Sequence, residues 1–183
     1  MHSWKTLSRK TILDHSRFLR VESHEILLPD GTHIHDWPWV ISPDFVTVVV
    51  VTSQGDFVLF RQTKYSIEGV SLAPAGGYIE PGEDPLAAAK RELQEELGYI
   101  STSWVHMGTY PVDGNRGSGT AHLFLAVDAR KALLEEESIN SDDLEEQEIL
   151  ILSKEKVVAA LKDKAFRVLP WTAAIALALQ YLS

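Results

Sequence analysis

The sequence predicts an α+β sandwich with a mixed sheet, preceded by an N-terminal β hairpin. Three observations carry this. There is a nearly continuous β-branched run at 45–51, a helix punctuated at both ends over 84–98, and a turn at 29–31 between two strand-like stretches. Strands interspersed with only a few helices point to α+β rather than regular βαβ winding.

Residues 18–28 read as a strand, Pro29-Asp30-Gly31 as a turn, and 32–39 as the returning strand. Residues 1–40 are therefore expected to form an N-terminal β segment, and 41–183 the main domain. The main domain opens with Phe45–Val51, whose continuous Val content suits a strand buried on both faces. Gln54-Gly55-Asp56 turns the chain into a second strand, 57–62. Further strands are predicted at 104–110, 121–127 and 148–152. Asp84 is a good N-cap, Pro85 occupies the first helical position, and good helix formers run from Leu86 to a left-handed stop at Gly98. Ser153 caps a second predicted helix over 153–162. Pro170 opens a third, 171–182, apolar on almost every side and too short to span a bilayer.

Composition narrows the function. The chain has 183 residues, 45% apolar and 23% charged, which supports a buried core and one domain, or one domain with an appended segment. It has no cysteine, which excludes disulfides, Cys-ligated zinc, iron–sulfur clusters and thiol nucleophiles. With 17 Lys+Arg against 26 Asp+Glu the net charge is −9, which argues against a nucleic-acid groove or an anionic membrane surface. No apolar run reaches the roughly 18 residues of a membrane span, and residues 1–10 lack the apolar core of a signal peptide. A cytoplasmic location is expected.

On a wheel of about 100° per residue, Leu86, Ala89, Leu93 and Leu97 form the core stripe of the first helix. Glu92, Glu95 and Glu96 share an adjacent arc. They are i, i+3 and i+4 neighbours of like charge, placed where the helix dipole is already negative. A solvated acidic face is one reading. The other is a hard divalent cation, which reverses both penalties. The upstream segment 73–83, with three glycines and two prolines, favours the second reading because it permits close backbone approach and returns Glu83 to the helical acids.

Gly77, five residues, Glu83, seven residues, then Arg91-Glu92-Leu93-Gln94-Glu95-Glu96-Leu97-Gly98 resembles the Nudix box of the Nudix hydrolases. The following position is usually aliphatic and is Tyr99 here, a departure that concerns packing. The resemblance implies the family's α/β/α sandwich across 45–182 and an enzyme that cleaves a nucleoside diphosphate linked to another moiety. It further implies Mg²⁺, with Mn²⁺ as a substitute, held by Glu92, Glu95 and Glu96 and by the Gly76 carbonyl. Glu83 would assist the metal or its water, and Arg91 would ion-pair with Glu83 or another box acid to fix the loop.

The hairpin ahead of the core, the segment 59–65 and the loop 72–77 resemble the ADP-ribose/ADP-sugar pyrophosphatase branch, whose members are homodimers. In that branch Arg61 and Lys64 match a basic strand end that contacts phosphates or ribose; a solvated strand end is the alternative. The segment 110–119 departs from the branch's usual loop. The resemblance implies a glutamate beyond the box as general base, which singles out Glu146 and Glu145 in the acidic segment 142–148; a solvated acidic loop is the alternative. Trp37 and Trp39 offer faces for adenine stacking, or serve as core or dimer contacts. His33 and His35 share a strand face but read as surface histidines with no third ligand nearby. The expected activity is hydrolysis of ADP-ribose or a related nucleoside diphosphate sugar. The rivals are a Nudix pyrophosphatase of other specificity, such as dinucleotides, and a non-catalytic module that binds an ADP-ribose-type ligand.

Overall fold

The computed structural model describes residues 3–132 and 146–182. They group into two units, 1–44 with 110–121, and 45–109 with 122–183.

The first unit is an antiparallel meander of β1 (Lys5–Ser16), β2 (Leu19–Leu27) and β3 (His33–Ile41). The β2–β3 turn closes as its sequence requires. Gly31 takes φ +87° and donates to the Leu28 carbonyl, while the Asp30 carboxylate accepts from the Thr32 amide at 2.9 Å. The hairpin predicted from 18–28 and 32–39 is this β2–β3 pair. Strand β1 is additional, and the reason it escaped prediction is physical: all twelve of its positions are exposed, so no alternation of buried side chains marks it. The unit is completed by residues 110–121, where Val40 pairs in parallel with Gly117 and donates to the Arg116 carbonyl at 2.8 Å.

The second unit is built on β4 (Phe45–Thr52), β5 (Phe57–Gln62), β6 (Ser71–Ala73), β7 (Tyr99–Ile100) and β10 (Gln147–Leu152). It also takes parts of β8 (Ser103–Asp113) and β9 (Gly117–Lys131). Strand order here is β9-β4-β5-β10, with β6 also paired to β5. Val46, Val48 and Val50 of β4 enter one core cluster, while Thr47, Val49 and Val51 between them are equally buried, so β4 is covered on both faces. Helices α1 (Pro85–Leu97) and α3 (Leu169–Tyr181) both pack on β4, and α2 (Lys154–Lys162) contacts α3. The α+β sandwich with a mixed sheet is therefore the observed architecture.

Helix α1 begins where Asp84 accepts from the amides of Leu86 and Ala87 at 3.0 and 3.1 Å, and ends at Gly98 with φ +67°. Its Ala88, Ala89, Leu93 and Leu97 sit in the core beside β4. Tyr99, the unusual box position, is also core, only 5% exposed.

Candidate active site

The loop ahead of α1 is stitched to β4 by its backbone. Val48 donates to the Ala75 carbonyl and Val46 to the Gly77 carbonyl, at 2.8 and 2.9 Å. This close approach excludes side chains. A Cβ on Gly76, which holds φ +153°, would collide with the Val46 carbonyl. A Cβ on Gly77 would overlap the Glu92 carboxylate. The Glu96 carboxylate accepts from the Gly76 amide at 2.9 Å, so the last turn of the helix holds the loop from the other side.

Arg91 organises the acids. Its Nε and Nη2 donate to the two oxygens of Glu83, both at 3.0 Å, a bidentate fork. Its Nη1 donates to Glu92 at 2.8 Å and to Glu95 at 3.2 Å, and Nη2 also reaches the Tyr78 carbonyl. Glu83 in turn accepts from the Glu80 amide at 2.9 Å. The like-charge repulsion legible in the sequence is thus offset by one guanidinium placed before the last turn.

These contacts set the protonation. The Arg91 fork holds the Glu83 carboxyl below its ordinary range, with desolvation opposing. Burial pushes Glu92, 9% exposed, above that range, and outweighs the Arg91 pair. Hydrogen bonding to Glu83 raises Arg91, which stays cationic.

The structure therefore gathers Glu83, Arg91, Glu92, Glu95 and Glu96 with Gly76 on one loop–helix surface. Arg61 lies at the end of β5, exposed and 3.3 Å from Glu148 of the paired strand β10. Lys64 follows in the next loop, half-buried. Glu146 is exposed immediately before β10, and Glu145 falls outside the described residues.

Trp37 and Trp39 belong to the first unit. The Trp37 indole donates to the Asn115 carbonyl at 2.8 Å, meets Trp4 edge-on at 5.3 Å, and lies beneath the Arg116 guanidinium. Trp39 stacks on the buried His24. Both line a shallow cavity of about 280 Å³ together with Trp4, Thr6, His24 and Asn115.

One expectation is corrected. His33 and His35 do have a third ligand-type side chain beside them, Glu25 of β2, whose carboxylate lies 3.4 Å from His35 Nδ1. Strand pairing supplies it, and no sequence spacing signals it.

A glycine loop sewn to an acidic helix end on a mixed sheet is the arrangement that the resemblance to the Nudix hydrolases implies. The NUDIX domain family model matches residues 42–172, and the chain belongs to that family. A second family model, the nucleoside diphosphate sugar hydrolase N-terminal domain, matches residues 4–40. The ADP-ribose pyrophosphatase of Bacillus subtilis (strain 168) is 28% identical over 97% of this chain and 94% of its own length. The methanol dehydrogenase activator of Bacillus methanolicus is 24% identical over 97% and 91%. A crystal structure of an ADP compounds hydrolase shares the fold, with a TM-score of 0.81 at 22% identity over 100% of this chain and 95% of that one.

Proposed function

We propose that this Nudix protein is a Mg²⁺-dependent pyrophosphatase acting on ADP-ribose or a related nucleoside diphosphate sugar, releasing AMP or another NMP and a sugar phosphate. The carrying observation is the carboxylate set of Glu83, Glu92 and Glu95, cross-linked by Arg91, with Glu96 bound to the Gly76 amide of a loop that leaves no room for a Cβ at Gly76. The substrate class is supported by the similarity, over nearly the whole chain, to an ADP-ribose pyrophosphatase.

The donor set fits the ion. Carboxylates and a main-chain carbonyl are hard oxygen ligands, which suit Mg²⁺ or Mn²⁺ over softer metals. In this reading Glu92, Glu95, Glu96 and the Gly76 carbonyl hold it. When bound, the ion neutralises the diphosphate and acidifies water.

The chain's own residues do the rest. Arg91 fixes Glu83 and with it the loop, which keeps the acids in place before substrate arrives. Glu145 or Glu146 accepts the proton of the attacking water as its oxygen bonds to one phosphorus and the bridging P–O bond breaks. Arg61 exchanges Glu148 for a substrate phosphate, with Lys64 three residues further on. Trp37 and Trp39 present rings to adenine. Residues 1–40 serve dimerisation and substrate contact, and 41–183 carry the chemistry of a cytoplasmic homodimer.

The deciding experiment is a hydrolysis screen over ADP-ribose, other nucleotide sugars and dinucleotides, with and without Mg²⁺. We expect Mg²⁺-dependent AMP and ribose 5-phosphate from ADP-ribose, lost by several orders of magnitude in Glu96→Gln. Turnover of Glu96→Gln within tenfold of wild type, or no cleavage of any diphosphate sugar, overturns the reading.

A further inference from the structure

The second cluster of metal-type ligands lies in the other unit, on strands β2 and β3 beside the turn that joins them. His33 and His35 are i, i+2 on β3, so their side chains share a face. Their rings lie 3.9 Å apart between centroids. Glu25 comes from β2, half-buried, and reaches them through an irregularity in the ladder. His24 pairs with Trp37 and Ile26 with Ile34, so His35 and Asp36 together oppose Glu25 alone. Such a bulge re-aims a side chain. A third strand completes the arrangement: Ser8 of β1 pairs directly with Glu25 and its hydroxyl donates to Glu25 Oε2 at 3.0 Å, leaving Oε1 turned to His35.

From this juxtaposition we infer that Glu25, His33 and His35 form a surface site for a divalent transition-metal ion, Zn²⁺ in the first instance, with Ser8 as a positioning residue. One atom from each ligand lies within 4.8 Å of the other two. Ligands about 2.1 Å from a tetrahedral ion sit about 3.4 Å apart, so the Glu25–His35 pair is already at that spacing and the exposed His33 needs only a small rotation. Two imidazoles and one carboxylate suit zinc, whereas the all-oxygen box suits Mg²⁺, so the two sites divide metals by chemistry. Three protein ligands leave a position open to water. The Ser8 hydroxyl is the outer partner that such ligands commonly need to fix their orientation. Bound metal would tie β2 to β3 directly and β1 through Ser8.

The test is a Zn²⁺ titration by calorimetry on the untagged full-length protein, at saturating Mg²⁺. Wild type is expected to bind one equivalent more than the His33→Ala/His35→Ala double variant. Glu25→Gln should weaken that equivalent by about 10–100-fold and Ser8→Ala by about tenfold. With Co²⁺ as probe, the visible band of imidazole-ligated metal should appear in wild type and vanish in His35→Ala. All four positions lie at the surface or half-buried, so the variants should fold, which circular dichroism checks. Equal Zn²⁺ stoichiometry in wild type and double variant overturns the site. An unchanged affinity in Glu25→Gln overturns the three-ligand arrangement.

Discussion

Gly77 and Glu92 occupy one space: the hydrogen on the glycine is what leaves room for the buried carboxylate. Gly76 beside it is restricted for a different reason, because the clash there is with the backbone carbonyl of Val46 and φ is positive.

The two glycines should therefore fail differently. Gly77→Ala meets only the end of a flexible side chain, so the protein should keep its melting temperature within a few degrees. The displaced Glu92 should cost about a hundredfold in kcat, since an error of about 1 Å at reacting groups has that effect. Gly76→Ala has no such escape and should lose about 1–3 kcal/mol of stability. Thermal melts and kcat on both variants check this; equal losses of stability would refute it.

Acid should dissolve the Arg91–Glu83 fork. Glu83 is held below the ordinary carboxyl range, so its contribution to stability is fully present above the unfolded value of about 4.3 and is lost as pH falls through the lower folded value. In EDTA, Glu83→Gln should be less stable than wild type by about 2 kcal/mol at pH 7. That gap should close progressively below about pH 4.3. Urea melts at several pH values measure it, and a gap that stays constant down to acid pH contradicts the assignment.

If Glu145 or Glu146 takes the proton from water, the Glu145→Gln/Glu146→Gln double variant should lose about 10²–10⁴ in kcat at saturating Mg²⁺. A retained kcat would move the base to Glu83 or Glu95 in the box.

Assembly and substrate binding should fail together. The chain of 20.4 kDa should sediment at about 41 kDa as a homodimer. Removing residues 1–40 should lower substrate affinity along with assembly. A fully active monomer would refute the role given to that segment.

The sequence was most readable where single residues force the backbone. Asp84, Pro85 and Gly98 bound α1 to within a residue, and the valines of β4 declare a strand buried on both faces. It was least readable where partners meet across the chain. The acids of α1 look mutually repulsive in one dimension; the resemblance implies that Arg91 pairs with a box acid, but its fork onto Glu83 and its reach to Glu92 and Glu95 are set by the fold. Likewise His33 and His35 were visible as a pair, but Glu25 joins them only through pairing of β2 with β3. Strand β1 carried no pattern because none of its side chains is buried.

That last strand has a colloidal consequence. β1 ends its sheet, pairs with β2 alone among the described strands, and extends about 40 Å with Leu7, Ile12 and Leu13 exposed along it. An open edge of that length is a template on which further strands can stack. Two defences are built in. Three register shifts against β2 distort the ladder, and Lys5, Arg9 and Lys10 place same-sign charge along the edge. Screening shortens to about 3 Å at 1 M salt, which removes the second defence and leaves only the first. Concentrated protein should accordingly grow turbid in high salt sooner than at low ionic strength, and a charge reversal at Lys10 should shift that threshold.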